Sequence, residues 1–459
     1  MNQHNIMLLT DSYKISHYKQ YPPNTTSVYS YFESRGGKFD DVTFFGLQFL
    51  LKNYLEGVVV TKEKIDEAEH LYNQHFGDAS LFYRAGWEHI LNAHGGKLPV
   101  RIKAVPEGVS IPVHNALITV ENTDPACFWL TNFLETLLVQ VWYGSTVATQ
   151  SRAIKKLILQ YLEQTGDPEL ISFKLHDFGF RGVSSVESAS IGGAAHLVNF
   201  KGTDTVAALS FIQQYYNTNE VFGFSIPASE HSTITSWGRE NEAKAYNNML
   251  TQYSKGLVAI VSDSYDIYNA CEKLYGEVLK DKILNREGTL VVRPDSGEPK
   301  EVVLKVVSIL GEKLGYTTNA KGYKVLNPHI RVIQGDGVNY ESITEILETL
   351  KANGWSADNI GFGMGGALLQ KLDRDTQKFA FKCSCATVDG EDRDVFKDPV
   401  TDPGKRSKKG RLKLVKEGSG YKTVTQAEPG EDVLETVFEN GELKRQYRFD
   451  EVIKNAALW

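Results

Sequence analysis

The sequence predicts an α/β protein made of an irregular parallel (β/α) barrel-like domain and a flanking mixed α/β domain built from both chain ends. Three features of the 459-residue chain lead to this prediction. Apolar, β-branched runs alternate with helical segments through the middle, each run ends in a polar or glycine-rich cluster, and the two chain ends show a mixed pattern. Repeated strand–helix units of this kind form parallel sheets.

The strand–helix units lie between residues 151 and 388. Seven apolar runs end 24 to 42 residues apart, which leaves room for a returning helix each time, and an eighth run covers 378–388. The seven runs end near Phe178, Gly202, Pro227, Ser262, Arg293, Gly335 and Gly363. Amphipathic patterns predict helices over 301–314, 340–350 and 232–248. Eight such strands can close a barrel, although an open doubly wound sheet would also collect ligands at its strand ends.

The flanking domain is expected to comprise residues 1–150, completed by residues 389–459. Short strands are predicted at 27–32, 98–104 and 116–120, with helices between them, and the C-terminal part is polar with strand-like pieces. This mixture lacks the regular strand–helix repeat of the middle. The barrel-like domain is therefore bounded at 151 and 388.

Charge and hydropathy exclude several classes of protein. With 50 Lys and Arg against 57 Asp and Glu the net charge is −7, so the basic surplus typical of nucleic-acid binding is missing. The most apolar long stretch, 128–143, is interrupted by Thr131, Asn132, Glu135 and Gln140, which makes it too polar to cross a bilayer. We therefore expect neither nucleic acid nor a membrane as partner.

The chain start and the cysteines indicate a cytoplasmic protein. Residues 1–11 lack a basic region followed by an apolar run of signal-peptide length. The four cysteines are Cys127, Cys271, Cys383 and Cys385, and no pair has zinc-ligand spacing backed by a second pair or by clustered histidines. They are expected to be reduced core thiols.

Chemically versatile side chains follow the apolar runs. Within a few positions of a run's end stand His176, Asp177, Asp204, Ser225, His231, Asp263, Arg293, Asp295 and Asp336. Because the carboxyl ends of parallel strands meet at one edge, these side chains are expected to share a site. A lone histidine such as His231 is more often a core or capping group, but Asp263 or Asp266 could orient its ring.

Glycines and cations suggest an anionic ligand. The segment Gly361-Phe-Gly363-Met-Gly365-Gly366 fits a phosphate-binding loop, or else a tight barrel turn, better than a dinucleotide fingerprint, which normally opens a βαβ unit. A basic run from Lys405 to Lys413 would ordinarily be a solvated loop. In an acidic protein, however, clustered cations favour a polyphosphate ligand. Further cations that could join this field are Arg35, Arg181, Arg374, Lys382 and Lys397.

Nine segments together resemble the type II phosphoribosyltransferase family over nearly the whole chain. They are TDSYKISHYKQYPPNT, KLHDFGFRGVSS, NFKGTDT, EHSTITSWG, VSDSYDIYNACEK, VRPDSG, RVIQGDG, LLQKLDRD and VFKDPVTDPGKRSKKGRL. The resemblance implies a glycosyltransferase that joins nicotinamide to phosphoribosyl pyrophosphate in NAD salvage, giving nicotinamide mononucleotide and pyrophosphate. It also implies Mg²⁺, held mainly by the diphosphate, and a homodimer whose sites are shared between subunits.

The resemblance assigns a base-binding pocket. The pyridine ring would lie between Phe178 and Tyr13 of the other subunit, because offset stacking holds an aromatic ligand. Asp204 would accept a hydrogen bond from the carboxamide and repel the carboxylate of nicotinate. Arg181, Ser262 and Ser225 are expected in the same pocket.

The resemblance also assigns the phosphate and activation sites. The residues implied for phosphate are Arg35, Arg293, Arg374, Lys382, Lys397, Lys405, Gly335, Asp336, Gly365 and Gly366, with Asp295 and Asp336 near the ribose and its phosphates. His231 would accept a phosphoryl group from ATP, which acts as an activator, and Asp266 would orient the imidazole. Ala380 stands where relatives carry a hydroxyl, so an altered phosphate affinity is expected.

Three other functions remain open from the sequence. Nicotinate phosphoribosyltransferase would use the same fold and donor with an acid substrate. A non-catalytic phosphate or nucleotide binder would form no product. A barrel aldolase or isomerase needs a catalytic lysine or an acid/base pair at strand ends, where Lys201 is the only lysine.

Overall fold

A computed structural model of the chain describes residues 4–398, 400–401, 407–418 and 420–458. The chain folds into two compact units, and each of them combines segments that are distant in sequence. The first unit comprises residues 1–149, 212–219 and 373–457, and the second comprises 150–211, 220–372 and 458–459.

The second unit is built round a six-stranded, entirely parallel sheet. In spatial order its strands are Gly202–Thr203, Leu175–Asp177, Ile360–Met364, Ile330–Gln334, Glu287–Arg293 and Lys255–Val261. The extended segment 224–228 forms parallel bridges to both edge strands, through Gly202–Phe224 and Ala228–Ala259. The sheet therefore curls back on itself, and the predicted barrel-like fold is confirmed.

The described part of the chain contains sixteen α-helices. The α-helices are Leu47–Leu50, Lys62–Phe76, Arg84–His94, Leu130–Phe133, Glu135–Leu138, Val141–Thr165, Val186–Leu197, Val206–Tyr215, His231–Thr235, Glu242–Gln252, Ile267–Asn269, Lys280–Leu284, Pro299–Leu314, Tyr340–Ala352, Gly366–Leu369 and Phe449–Asn455. The predicted helices at 301–314 and 340–350 are confirmed. The one predicted over 232–248 is divided, because Gly238 has a φ of 82° and a 3₁₀ turn, Arg239–Asn241, follows it.

The first unit contains a seven-stranded antiparallel sheet. In spatial order its strands are Glu391–Asp394, Phe379–Val388, Thr25–Ser34, Ala116–Asn122, Val100–Ala104, Glu435–Glu439 and Glu442–Leu443. Two ribbons accompany it: Asp41–Thr43 with Ser110–Pro112, and Leu412–Glu417 with Gly420–Thr425. Both ends of the chain contribute strands to this sheet, as the sequence predicts for the flanking domain.

The strand at 378–388 does not belong to the barrel, and its assignment there is wrong. Phe379–Val388 pairs antiparallel with Thr25–Ser34 on one side and Glu391–Asp394 on the other. Most of its residues are buried. A nearly continuous apolar run resembles a central parallel strand, but a central antiparallel strand covered on both faces has the same pattern.

Alternation along the parallel strands separates the outer core from the barrel interior. Val258, Ile260, Leu290 and Val292 are fully buried, whereas their neighbours Ala259 and Val291 retain slight exposure. Ala259 and Val291 cluster with Ile333, and Phe178 and Ile226 pack against this group. The small interior side chains leave open space inside the sheet. Among the described residues, no helix is both long and apolar enough to span a membrane.

Candidate active site

A cavity of about 520 Å³ lies inside the curled sheet of the second unit. Its wall includes the interior residues Ala259, Val291 and Ile333. Its lining also includes five residues from the sequence-based site prediction, which are His176, Phe178, Asp204, Ser225 and Arg293. Pockets of this size accommodate ligands larger than a single aromatic ring. The structure thus brings both aromatic and polar candidates to one cavity.

Phe178 forms a fixed wall of this cavity. Its backbone N–H donates to the carbonyl oxygen of Met364, at 3.0 Å. A β-carbon at position 363 would lie 1.9 Å from Cε2 of the Phe178 ring, so only glycine allows the ring to sit there. The packing of the Phe178 ring, and not a phosphate, is therefore the reason that position 363 is a glycine.

Asp204 is fixed by one backbone and one side-chain hydrogen bond. It directly follows the edge strand Gly202–Thr203, and its backbone N–H donates to the carbonyl oxygen of Asp177 at 3.0 Å. The Ser225 hydroxyl donates to Asp204 Oδ1 at 2.5 Å. Because Ser225 lies on the extended segment 224–228, closure of the sheet places the two side chains together. A positioned carboxylate of this kind accepts hydrogen bonds from an amide N–H.

Two buried groups support these strand ends: Asp177, which the sequence predicts at the site, and His196, which it does not. Asp177 Oδ1 accepts from Gly179 N–H at 2.7 Å, and burial raises the pKa of Asp177 to about 6. His196 Nε2 lies 3.3 and 3.2 Å from the carbonyl oxygens of Leu175 and Gly202. Burial lowers the pKa of His196 to about 3, so its ring is neutral. Its position inside an apolar helix gives no sequence signal for this role.

His231 is oriented by Asp263, and the assignment of that role to Asp266 is wrong. The His231 Nε2 lies 3.0 Å from Asp263 Oδ1, and the Ser296 hydroxyl donates to the other Asp263 oxygen. Asp263 is 5% exposed in its side chain, whereas His231 is 46% exposed. Asp266 instead caps a helix, because its Oδ1 accepts from the N–H groups of Tyr268 and Asn269 at 3.0 Å.

Charged side chains converge at the ends of two neighbouring strands. A β-carbon at Gly335 would lie 3.2 Å from Asp295 Oδ1 and 3.5 Å from Arg293 Cδ, so glycine permits their close approach. Burial raises the pKa of Asp295, Arg293 opposes this shift, and the charges of Asp263 and Asp336 add to it. Arg293 Nε is buried and has no hydrogen-bond partner in the described part of the chain. A buried, unsatisfied guanidinium donor next to a cavity is suited to an anion.

The other residues assigned to this unit are placed differently. The Ser262 hydroxyl is fully buried, donates to the Ile260 carbonyl oxygen at 2.8 Å and pairs with the Tyr275 hydroxyl at 2.8 Å. Ser262 is not among the described residues that line the cavity. Arg181 is exposed on the 3₁₀ turn Phe180–Gly182.

The glycine pair Gly365-Gly366 begins a short helix, Gly366–Leu369. A β-carbon at Gly182 would lie 3.2 Å from the Gly366 Cα, so the turn that carries Arg181 packs against this loop. Arg181 thus lies beside the candidate phosphate loop. Apart from its chain neighbours and its own helix backbone, no heavy atom of the described residues lies within 4 Å of a β-carbon built at Gly366, so this backbone is open to a ligand.

A second, cationic cavity of about 210 Å³ lies within the first unit. Its lining includes Arg35, Arg374 and Lys382, three of the predicted phosphate ligands, as well as Ala380. With Lys378 these cations number four, against the three acidic residues Asp11, Glu135 and Asp375. Burial lowers the pKa of Lys382, and the positive charges of Arg35, Lys397 and Arg374 lower it further, while Glu135 opposes them. Arg35 Nε is buried without a partner among the described residues. Mutually repelling cations in one cavity favour binding of an anion.

Three further predicted residues are found outside the two cavities or outside the described chain. Tyr13 lies on the surface of the first unit, 59% exposed, with its ring 4.8 Å from that of His17. Lys397 is exposed, and its backbone bonds to Ser407 at 3.0 and 3.1 Å. Lys405 lies outside the described residues.

The sequence matches two family models. Residues 173–442 match the nicotinate phosphoribosyltransferase family, and residues 5–102 match the N-terminal domain of nicotinamide phosphoribosyltransferase. A protein of Xanthomonas campestris pv. campestris (strain 8004) named nicotinamide phosphoribosyltransferase is 52% identical, over 98% of both chains. One of the same name from Acinetobacter baylyi is 36% identical, over 97% of this chain and 96% of the relative.

Solved structures share the fold at low sequence identity. The nicotinate-nucleotide pyrophosphorylase of Pyrococcus furiosus superposes with a TM-score of 0.62 and 16% identity, covering 99% of this chain and 96% of the other. Human nicotinic acid phosphoribosyltransferase gives a TM-score of 0.53 and 15% identity, covering 98% and 93%. These likenesses confirm the architecture.

Proposed function

The chain belongs to the nicotinate phosphoribosyltransferase family of pentosyltransferases, and on that premise we propose that it makes nicotinamide mononucleotide and pyrophosphate from nicotinamide and phosphoribosyl pyrophosphate, in NAD salvage. The choice of nicotinamide as the base rests on the position of Asp204. Its carboxylate lines an interior cavity, bonded to Ser225, beside the Phe178 ring.

Base recognition follows from the chemistry of these three side chains. The pyridine ring stacks on Phe178, and the carboxamide N–H donates to Asp204. Nicotinate offers a negative carboxylate in place of the N–H donor, so it meets a like charge and leaves the acceptor unpaired. In the homodimer that we propose, Tyr13 of the partner subunit covers the other face of the ring. The exposure of Tyr13 within its own chain is consistent with such a contact.

The cations serve the phosphoribosyl donor. Departure of pyrophosphate from ribose C1 leaves positive charge on the sugar and adds negative charge to the leaving group, so positive groups fixed in advance lower the barrier. Arg293 offers its unpaired Nε, and Arg35, Arg374 and Lys382 form the cationic cavity of the first unit. We assign all four to phosphate groups, with Lys397 and Lys405 in support and the open Gly365-Gly366 backbone at the 5′-phosphate.

The acidic residues fit a magnesium ion bound together with the diphosphate. Burial raises the pKa of Asp295, Arg293 opposes this shift, and the negative charges of Asp263 and Asp336 add to it. A divalent cation would relieve the repulsion between these charges and Asp295. Mg²⁺ is commonly held by one or two carboxylates together with substrate phosphates. Bound there, it would supply charge neutralisation for the leaving diphosphate. Asp295 and Asp336 would also lie near the ribose hydroxyls.

His231 is the group that we assign to activation by ATP. With Nε2 turned to Asp263, Nδ1 is the ring nitrogen left for chemistry, and Asp263 would stabilise positive charge on the imidazole. The Nδ1 lone pair would attack the γ-phosphorus, the bond to the bridging oxygen would break, and ADP would leave. The added negative charge next to Asp295 would strengthen Mg²⁺ binding and favour synthesis.

A product assay tests the proposed reaction. The full chain is incubated with nicotinamide, phosphoribosyl pyrophosphate and Mg²⁺, and pyrophosphate and mononucleotide are measured separately. Equal amounts of both products are expected. Binding of the donor without either product would instead support a non-catalytic phosphate binder. Turnover with nicotinate alone would support nicotinate phosphoribosyltransferase, the activity for which the matched family is named.

A further inference from the structure

Four side chains with metal-binding atoms meet in the first unit, among residues that the proposed reaction does not use. They are His89, His94, Asp124 and Cys127. One ligand atom from each lies within 4.8 Å of all the others. Two imidazoles, a carboxylate and a thiol at this separation form a complete set of four candidate ligands for a tetrahedral metal ion.

Two adjoining elements hold these ligands in place. His89 and His94 lie on the helix Arg84–His94. Asp124 precedes, and Cys127 ends, the 3₁₀ turn Pro125–Cys127, which follows the strand Ala116–Asn122. Asp124 Oδ1 accepts from the Ala126 N–H at 2.9 Å, and the Asp124 carbonyl accepts from the Cys127 N–H at 2.9 Å. The turn is therefore rigid, which limits the cost of ordering the ligands on binding.

Hydrogen bonding explains only part of the cluster. The Nε2 atoms of His89 and His94 lie 2.7 and 2.6 Å from the same oxygen, Asp124 Oδ2. These contacts account for the two rings but not for the nearby thiol of Cys127, which is buried. In a tetrahedral zinc site, bond lengths of ~2.0 Å to nitrogen and oxygen and ~2.3 Å to sulfur place neighbouring ligand atoms about 3.3–3.5 Å apart. The observed separations bracket that range, so shifts of under ~1 Å would complete the geometry.

We propose that His89, His94, Asp124 and Cys127 bind one zinc ion that joins the helix Arg84–His94 to the turn after strand Ala116–Asn122. Neutral imidazoles and a thiolate suit zinc and not magnesium, which prefers oxygen ligands. The thiol proton passes to solvent when the sulfur–zinc bond forms. Four protein ligands leave no open position, so the ion has a structural role.

The sequence conceals this site because the ligands do not form paired cysteines. The pattern is H-x₄-H followed, after 29 intervening residues, by D-x₂-C. Its histidine spacing lies in the usual range for zinc sites, but an aspartate replaces one cysteine. A search for paired cysteines with zinc-ligand spacing does not find Cys127, because only folding across the helix and the turn brings His89 and His94 near it.

Metal titration of the full chain tests the proposal. The protein is stripped with a chelator, kept reduced with a non-chelating phosphine, and titrated with Zn²⁺ in competition with a chromophoric chelator. One bound ion per chain is expected, unaffected by excess Mg²⁺. Co²⁺ in the same site is expected to show the intense visible bands of tetrahedral geometry and a thiolate charge-transfer band.

Two variants and a matched control decide the assignment. His89→Gln and Cys127→Ser are each expected to weaken zinc binding by about 100-fold or more, since changes outside the ligand shell alone cost ~10–100-fold. His70→Gln, at an exposed helix position, should bind as the parent does. Because Cys127 is buried, the partly exposed His89 provides the variant that folds most readily, and added Zn²⁺ should raise Tm in the parent but not in His89→Gln. A parent without a tight site, or equal affinity in all variants, would overturn the proposal.

Discussion

Replacement of Asp204 by asparagine perturbs base selection with little change of shape. Asp204→Asn removes the negative charge, while its amide oxygen can still accept the hydrogen bond from Ser225. The amide NH₂ is then directed toward the carboxamide N–H of the base, so two donors meet. The variant therefore loses the acceptor for nicotinamide and also loses the charge that repels nicotinate.

The magnitudes of these two effects follow from the contacts. A hydrogen bond to a charged group contributes about 1.5–3 kcal/mol, so kcat/KM for nicotinamide should fall about 10- to 150-fold. Two like charges ~4 Å apart repel by about 4 kcal/mol at an effective dielectric of ~20, so kcat/KM for nicotinate should rise by up to about 1,000-fold. The preference between the bases should thus change by about three to five powers of ten.

The assay is kcat/KM for each base at saturating donor and Mg²⁺, in the parent, in Asp204→Asn and in Asp281→Asn. Asp281 is exposed on the helix Lys280–Leu284, so its variant controls for the loss of one surface charge. Asp281→Asn should retain the parental preference. If Asp204→Asn also retained it, with both constants unchanged, the assignment of Asp204 to the base would be refuted.

Three further outcomes are expected. His231→Ala should keep basal synthesis but lose stimulation by ATP, measured as the ratio of initial rates with and without ATP. Tyr13→Ala and Asp204→Asn should each be weakly active alone, but should regain about a quarter of the parental activity when they are unfolded together and refolded. Half of the random dimers then contain one subunit of each variant, and each of these mixed dimers has one intact site out of two. When the pH is lowered from 8 to 5, the free energy of unfolding in urea should fall by about 2 kcal/mol more in the parent than in His196→Gln.

The sign of the pH effect follows from the buried, neutral ring of His196. Burial lowers its pKa from 6.5 to about 3. Between these values the unfolded chain binds one more proton than the folded chain, so stability falls by about 1.4 kcal/mol per pH unit as the pH drops below 6.5. A difference between parent and His196→Gln that did not depend on pH would contradict this account.

The other two expectations have equally definite contrary outcomes. An equal ATP response in His231→Ala and the parent would remove the histidine from activation. Mixtures of the Tyr13 and Asp204 variants that stayed as inactive as each alone would exclude a site shared between subunits. Each variant, unfolded and refolded alone, serves as the control for refolding yield.

Local patterns in the sequence predicted the barrel and its polar edge because both depend on short-range order. Each apolar run ends where its strand ends, and parallel pairing then brings Asp204, Ser225 and Arg293 to one cavity. The sheet to which a strand belongs is a matter of long-range pairing. The apolar pattern therefore predicted that Phe379–Val388 is a strand. It did not predict that this strand pairs antiparallel with Thr25–Ser34.

The direction in which a side chain points was the other feature that the sequence did not predict. Asp263 and Asp266 lie three positions apart, and only the backbone decides that one reaches His231 while the other caps a helix. Ser262 likewise follows an apolar run but turns its hydroxyl toward Tyr275 in the core. Spacing along the chain does not determine such directions.

Competition between the two bases tests the central claim most directly. The parent enzyme is given equal concentrations of nicotinamide and nicotinate with limiting phosphoribosyl pyrophosphate and Mg²⁺, and the two mononucleotides are separated and counted. Nearly all product is expected to be nicotinamide mononucleotide, because Asp204 accepts the carboxamide N–H and repels nicotinate. Product that is mostly nicotinate mononucleotide would contradict this expectation.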